Sequence, residues 1–211
     1  MRFSPGKSVS TKVSRSHEQM LPRRSAGFEQ FCSMIQYTDN LSILDMSGAS
    51  QANISFLTSY GHKISSDDAV GTMQQCFGAD FYTNQQAASN AHRFLEQTLT
   101  FPDQSFDGAL IWDVLQLLVS PLLEDVVTKL FRVMRPGSPI LCFFNAQDKI
   151  NQVPVYSYRI QDAKTLLQTT RGTPQQCEYF NNRRLERLFE NSSSVKFFLM
   201  RGAQREVIVR R

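Results

Sequence analysis

The chain has 211 residues, 41% of them hydrophobic, with 16 Phe and a formal net charge of +4. That length and apolar content bury a sizeable core, so the fold does not depend on a disulfide framework or a structural metal. Cys32, Cys76, Cys142 and Cys177 lie far apart, with no C-x-x-C and no His at ligand spacing. No zinc site is expected, and the four read as reduced thiols of a cytoplasmic protein. No run reaches the roughly eighteen apolar residues of a membrane-spanning helix, and no apolar signal-peptide core follows the start, so a soluble chain without membrane contact is expected.

Residues 1–25 carry Arg2, Lys7, Lys12, Arg15, Arg23 and Arg24 against the single acid Glu18. They read as a flexible basic tail, the other reading of the same Arg- and Ser-rich composition being a transit peptide. One folded domain is expected over 26–211. Phe31, Met34 and Ile35 stand at helical spacing, predicting a short covering helix over Phe28 to Tyr37. Leu41 to Asp45 is an apolar strand ending in an acid. Ser50 suits the N-cap of a helix from about Gln51 to Ser59, and Gly61 the position just past its end. His62 to Ser66 is expected as a second strand ending at Asp67 and Asp68. Phe94-Leu95 with Glu96 is expected as a short third strand, and Gly108 to Trp112 as a strand covered on both faces.

The next helix has Ser120 as its cap and Pro121 in its first turn. Leu122, Leu123, Val126, Val127, Leu130 and Phe131 form its apolar stripe, and Pro136-Gly137 ends it. Ile140 to Phe144 returns as a buried strand. Residues 146–177 read as an insert with a hairpin from Val155–Ile160 and Leu166–Thr169, turning at Asp162-Ala-Lys164; a lid over the site and a dimer edge are both open for it. Leu185, Leu188 and Phe189 mark a helix. Two final strands, Val195 to Met200 and Glu206 to Val209, read as an antiparallel hairpin turning at Arg201-Gly-Ala-Gln204.

A strand ending in an acid, a tight turn of small residues and a helix is how an α/β sheet commonly holds a nucleotide-like cofactor. Ile43-Leu-Asp-Met-Ser-Gly-Ala-Ser-Gln51, Phe101-Pro-Asp-Gln-Ser-Phe-Asp107, Ile111-Trp-Asp-Val-Leu115 and Leu130-Phe-Arg-Val-Met-Arg-Pro-Gly137 occur in that order. From Phe28 to Arg211 this resembles the class I S-adenosylmethionine-dependent methyltransferases, of the methyltransferase type 11-like kind. The resemblance implies a three-layer Rossmann-like α/β sandwich, its seven-stranded, mostly parallel sheet closed by an antiparallel C-terminal hairpin. The family loop reads Asp-x-Gly-x-Gly-x-Gly, and here its glycine positions fall on Ser47, Ala49 and Gln51, while Gly48 falls between them. A side chain forced into a left-handed conformation costs about 1 kcal/mol or more, so either the loop takes another path or affinity for the cofactor falls.

By the same resemblance the cofactor is S-adenosylmethionine, leaving as S-adenosylhomocysteine. Asp45, Ser47, Gly48 and Ala49 would hold its amino-acid portion, Asp67 or Asp68 the ribose, Glu96 and Gln97 the adenine, and Trp112 with Asp113 the sulfonium side. Placement of the acceptor supplies much of the catalysis in such chemistry. A base is needed only for an acceptor that loses a proton. The candidates are His62, read as a surface residue, His92, Tyr156 and Tyr158; none is assigned, so the catalytic residues stay unknown.

Three functions follow: methyl transfer to a small-molecule acceptor, a catalytically inactive methyltransferase-like binding protein, and a nucleic-acid-associated methyltransferase. The last is suggested by a pI near 9.0 and by Arg183, Arg184, Arg187, Arg205, Arg210 and Arg211. The chain lacks the Asn/Asp-Pro-Pro-aromatic motif of base-modifying families, and these arginines read as a solvated face, which sets nucleic acid aside as a partner. A homodimer stays open.

Overall fold

A computed structural model of the chain describes residues 20–199 and 204–211. Most of the expected tail, 1–19, the last residue of the expected strand Val195 to Met200, and residues 201–203 of the expected final turn lie outside the described residues. The last residues of that tail belong to the fold. Leu21–Arg24 is strand β1, paired antiparallel with the insert, and Ser25 caps the next helix by accepting from the Phe28 N–H.

Along the chain follow α1 (Ala26–Ile35), β2 (Ser42–Asp45), α2 (Gln51–Ser59), β3 (Lys63–Ser66), α3 (Ala69–Phe77), α4 (Phe81–Asn84), α5 (Ala88–Gln97) and β4 (Gly108–Trp112). A single 3-10 turn, Val114–Leu117, leads to α6 (Leu122–Val133), β5 (Pro139–Asn145), β6 (Gln152–Val153), β7 (Tyr156–Asp162) and β8 (Thr165–Thr170). The chain closes with β9 (Gln175–Gln176), α7 (Asn182–Leu188), β10 (Ser194–Leu199) and β11 (Gln204–Arg210).

The main sheet runs β10-β11-β5-β4-β2-β3, with β3, β2, β4 and β5 parallel and β11 and β10 antiparallel. Alternation along its buried strands gives two core layers. On one face Ala109, Ile111, Ile140 and Val207 meet Val126 and Leu130 of α6; on the other Ile43, Leu110, Leu141 and Ile208 meet Phe28, Phe31 and Ile35 of α1 and Leu57 of α2. The sheet therefore has six described strands, against the seven expected.

The missing strand is a correction. Phe94, Leu95 and Glu96 lie in α5, because the two apolar residues sit among helix formers and Phe94 packs one ring against Phe77 of α3, 5.3 Å between centroids. Strand β3 is consequently the sheet edge. Ser120 does not cap α6; Pro121 holds that position and the Ser120 hydroxyl donates to Glu124 at 2.6 Å.

The insert forms the expected hairpin from β7 and β8, turning where Asp162 Oδ1 accepts the Lys164 N–H at 2.8 Å. With β1 it makes a separate three-stranded sheet lying against α2 and the carboxyl ends of the main strands. The four cysteines are free and buried. Among the described residues no helix is long and apolar enough to cross a membrane.

Candidate functional site

The carboxyl ends of β2, β3 and β4 meet at Asp45, Ser66 and Trp112. Asp45 is fully buried, and both of its carboxylate oxygens accept bonds from within the chain. Its Oδ1 accepts the Ser47 N–H at 3.0 Å, the Ser47 hydroxyl at 2.7 Å and the Trp112 indole N–H at 2.7 Å. Its Oδ2 accepts from the Asn53 amide at 2.7 Å.

The loop takes a path of its own. Gly48 is its one left-handed residue, at φ +85°, whereas Ser47, Ala49 and Gln51 keep ordinary backbone angles. Gly48 donates to the Asp67 carbonyl at 3.1 Å, and a Cβ there would lie 3.3 Å from the Asp68 carboxyl carbon. The loop thus lies directly on the end of β3. The helix α2 begins where expected, though the Ser50 side chain makes no capping bond.

Both acids after β3 are engaged. Asp67 accepts the Leu99 N–H at 3.0 Å and the Thr98 hydroxyl at 3.5 Å, and burial raises its pKa against those bonds. Asp68 caps α3 through the Gly71 N–H at 3.0 Å and takes both arms of the Arg171 guanidinium at 2.7 and 2.8 Å. Burial pushes its carboxyl up, but Arg171 and the Gly71 N–H outweigh it and hold the group below its usual range. Glu96 is exposed on α5 with His92 at 3.5 Å, and Gln97 beside it is exposed too. Neither joins the crevice, which corrects their expected place beside an adenine.

Trp112 and Asp113 fill the crevice. Trp112 is 1% exposed, stands at φ +57° and stacks on Tyr158 of β7 at 5.0 Å with 7° between the rings. Asn53 locks β7 down, donating to the Tyr158 carbonyl at 3.2 Å and accepting the Ile160 N–H at 2.8 Å. The Tyr158 hydroxyl accepts from Gln204 at 3.0 Å, whose own carbonyl accepts from Arg23 at 2.9 Å. Asp113 accepts the Tyr156 N–H at 3.3 Å; burial pushes its carboxyl up to about 7, held from going higher by backbone N–H groups and the Tyr158 hydroxyl.

Of the residues weighed as bases, only Tyr156 and Tyr158 reach this end of the sheet. His62 is at the amino end of β3, buried against the edge of Tyr60 rather than at the surface, and burial lowers its pKa. Asn53, Arg171 and Gln204 complete the constellation, and no sequence motif marks them. Asn53 stands in the first turn of α2, where a polar side chain is ordinary, so no local signal marks it.

Two free volumes border the crevice. One of about 330 Å³ lies between the loop and β7, lined by Ser47, Ala49, Ser50, Gln51, Tyr158 and Arg159. Another of about 160 Å³ lies past β5, among Arg23, Gln116, Asn145, Tyr156 and Gln204.

No family model and no curated protein matches the chain. Among solved structures, an S-adenosylmethionine-dependent methyltransferase from Archaeoglobus fulgidus superposes with a TM-score of 0.51 at 11% identity, over 88% of this chain and 92% of that one. The chain has the methyltransferase fold. At TM-scores below 0.5 stand a methyltransferase from Methanosarcina mazei (0.47, 14% identity, 82% of this chain and 93% of that one) and the Burkholderia thailandensis 1,6-didemethyltoxoflavin-N1-methyltransferase (0.46, 11% identity, 88% and 78%). The latter was crystallised with its substrate and S-adenosylhomocysteine. In this methyltransferase fold the loop after β2, the edge strand β3 and the end of β4 stand in the expected order, and the insert sheet covers them.

Proposed function

We propose that this chain uses the methyltransferase fold as a binding module, its cofactor crevice filled by its own side chains. The observation that carries the reading is the Asp45–Trp112–Tyr158–Asn53 cluster, which occupies the carboxyl ends of β2 and β4 with every one of these side chains buried. S-adenosylmethionine carries a cationic sulfonium and a ribose diol, so its site needs open carboxylates. Here Asp45, Asp67 and Asp68 are bonded internally and Glu96 points away. The remaining cleft beside the loop is at the low end of ligand-site volumes, and it has Arg159 and no acid in its lining. These residues do not fit the cofactor, and no methyl-transfer step is derived through it.

A second reading, S-adenosylmethionine-dependent methyl transfer to a small-molecule acceptor, is favoured by the fold and by the intact order of strand, loop and helix. It requires the β7–β8 sheet to lift, breaking the Asn53 bonds and the Trp112–Tyr158 stack. Calorimetric titration with S-adenosylmethionine and S-adenosylhomocysteine separates the two. Trp112 is the sole tryptophan of the chain, so its emission reports directly on entry of a ligand into the crevice. The first reading expects no heat and no change of emission at millimolar ligand. Micromolar binding that alters the emission overturns it in favour of methyl transfer.

A further inference from the structure

A cleft of about 820 Å³ lies away from the crevice, between α6 and α7. It gathers three of the arginines that stood out in the sequence, Arg184, Arg187 and Arg211, and adds Arg132 from α6. Leu123, Val127 and Phe131, at successive i+4 positions, turn one stripe of α6 toward it, and Phe180 stands across from them. The volume lies within the range of small-molecule sites, and an apolar floor with a few convergent charges is their usual lining.

The charges are unequal. Four guanidinium groups line the cleft against two side-chain carboxylates, Glu124 and Glu190. Arg184 is fixed, with its guanidinium 4.3 Å over the Phe180 ring and paired with Glu178, and Arg132 is held by Asp103 at 3.1 Å. Arg211 donates to the Met134 carbonyl at 2.7 Å. The Arg187 guanidinium is exposed and has no hydrogen-bond or ion-pair partner among the described residues. A planar fork of donors beside a partly exposed aromatic ring, Phe131, matches an anionic oxygen group carried on a flat apolar body.

We propose that this cleft binds a small organic anion with a planar apolar body, its anionic head met by Arg187 and its body lying along Val127 and Phe131. The assignment does not depend on how the crevice is read. It goes beyond the fold, because the cleft sits behind α6, outside the carboxyl ends of the parallel strands.

The test is calorimetric titration of the full chain with 8-anilinonaphthalene-1-sulfonate, and with N-phenyl-1-naphthylamine, which has the same rings without the sulfonate. One saturable site is expected, weakened at least tenfold by Arg187→Glu and at least tenfold for the neutral probe, and abolished by Val127→Trp, which fills the floor. Arg187 is exposed, so Arg187→Glu should keep the near-ultraviolet circular dichroism of the parent, and an affinity loss in it reports on the cleft. Equal affinity in the parent and in Arg187→Glu, equal affinity for the two probes, or no binding at millimolar sulfonate overturns the proposal.

Discussion

Asp113 should make the stability of this protein fall with rising pH from about 4 to about 7, and Asp113→Asn should remove that contribution. The carboxyl is 1% exposed beneath β7, and burial pushes its pKa from about 4 in the unfolded chain up to about 7. Below pH 4 the group is protonated in both states and costs nothing. Between 4 and 7 the unfolded chain releases its proton while the folded one keeps it, so unfolding is favoured by about 1.4 kcal/mol per pH unit. The accumulated loss is about 4 kcal/mol by pH 7, and above that both states are ionised and the curve is flat. This is a large part of the roughly 5–15 kcal/mol that holds a typical domain.

Burial also raises the pKa of Asp67 and Glu206, adding slopes of the same sign, while Asp68, held low by Arg171, adds the opposite slope. The difference between parent and variant cancels all three. Urea unfolding of both proteins at pH 4.5, 6, 7 and 8 should therefore give curves that diverge toward Asp113→Asn as pH rises, by up to about 4 kcal/mol less the cost of any bond the amide cannot remake. Parallel curves over that interval would refute the reasoning, since they would mean that Asp113 ionises equally in both states.

Asn53→Ala strands the Asp45 Oδ2, the Tyr158 carbonyl and the Ile160 N–H, and should cost about 3 kcal/mol with faster hydrogen exchange at Ile160. Trp112→Ala empties the centre of the crevice and should cost about 3–5 kcal/mol by urea unfolding followed by far-ultraviolet circular dichroism. Arg171→Ala should cost only about 1 kcal/mol in the same assay, because the Asp68 pair is partly exposed and Asp68 keeps its cap on Gly71. Gly27→Ala places a Cβ 2.7 Å from Glu206 Oε2, where the Gly27 N–H is also bonded, and should cost about 1–3 kcal/mol and lower the melting temperature.

The parts of the fold legible in the sequence are those whose signal is local. The helix α2 matches its expected span because the small-residue turn and Gly61 bracket it, and α6 and the buried strands β4 and β5 carry unambiguous periodicity or apolar runs. The helix α5 resembles a strand in sequence because its large apolar side chains are only Phe94 and Leu95, too short a run to show a period. Strand β1 was hidden in a basic composition. What makes Leu21–Arg24 a strand is its pairing with β8, some 140 residues away, which no local pattern records.

The site was legible as a list of positions and illegible as a state. Asp45, Ser47, Gly48, Trp112 and Asp113 do come together, but whether they line a space or fill it depends on β7 and on Asn53, which joins them across more than 100 residues. The strain expected at Ser47, Ala49 and Gln51 does not arise, since the loop places its one left-handed residue on the glycine it has. Strain appears instead at Trp112, a bulky residue at φ +57°, at a cost of about 1–3 kcal/mol. Such a conformer persists only where its surroundings over-determine it, and here the Asp45 bond, the Tyr158 stack and the Phe143 edge contact at 5.7 Å all act on the one indole. A ligand entering the crevice would have to displace a side chain that is both strained and triply held. The strain would favour its release, and the three contacts, with the Asn53 latch behind them, oppose it by more.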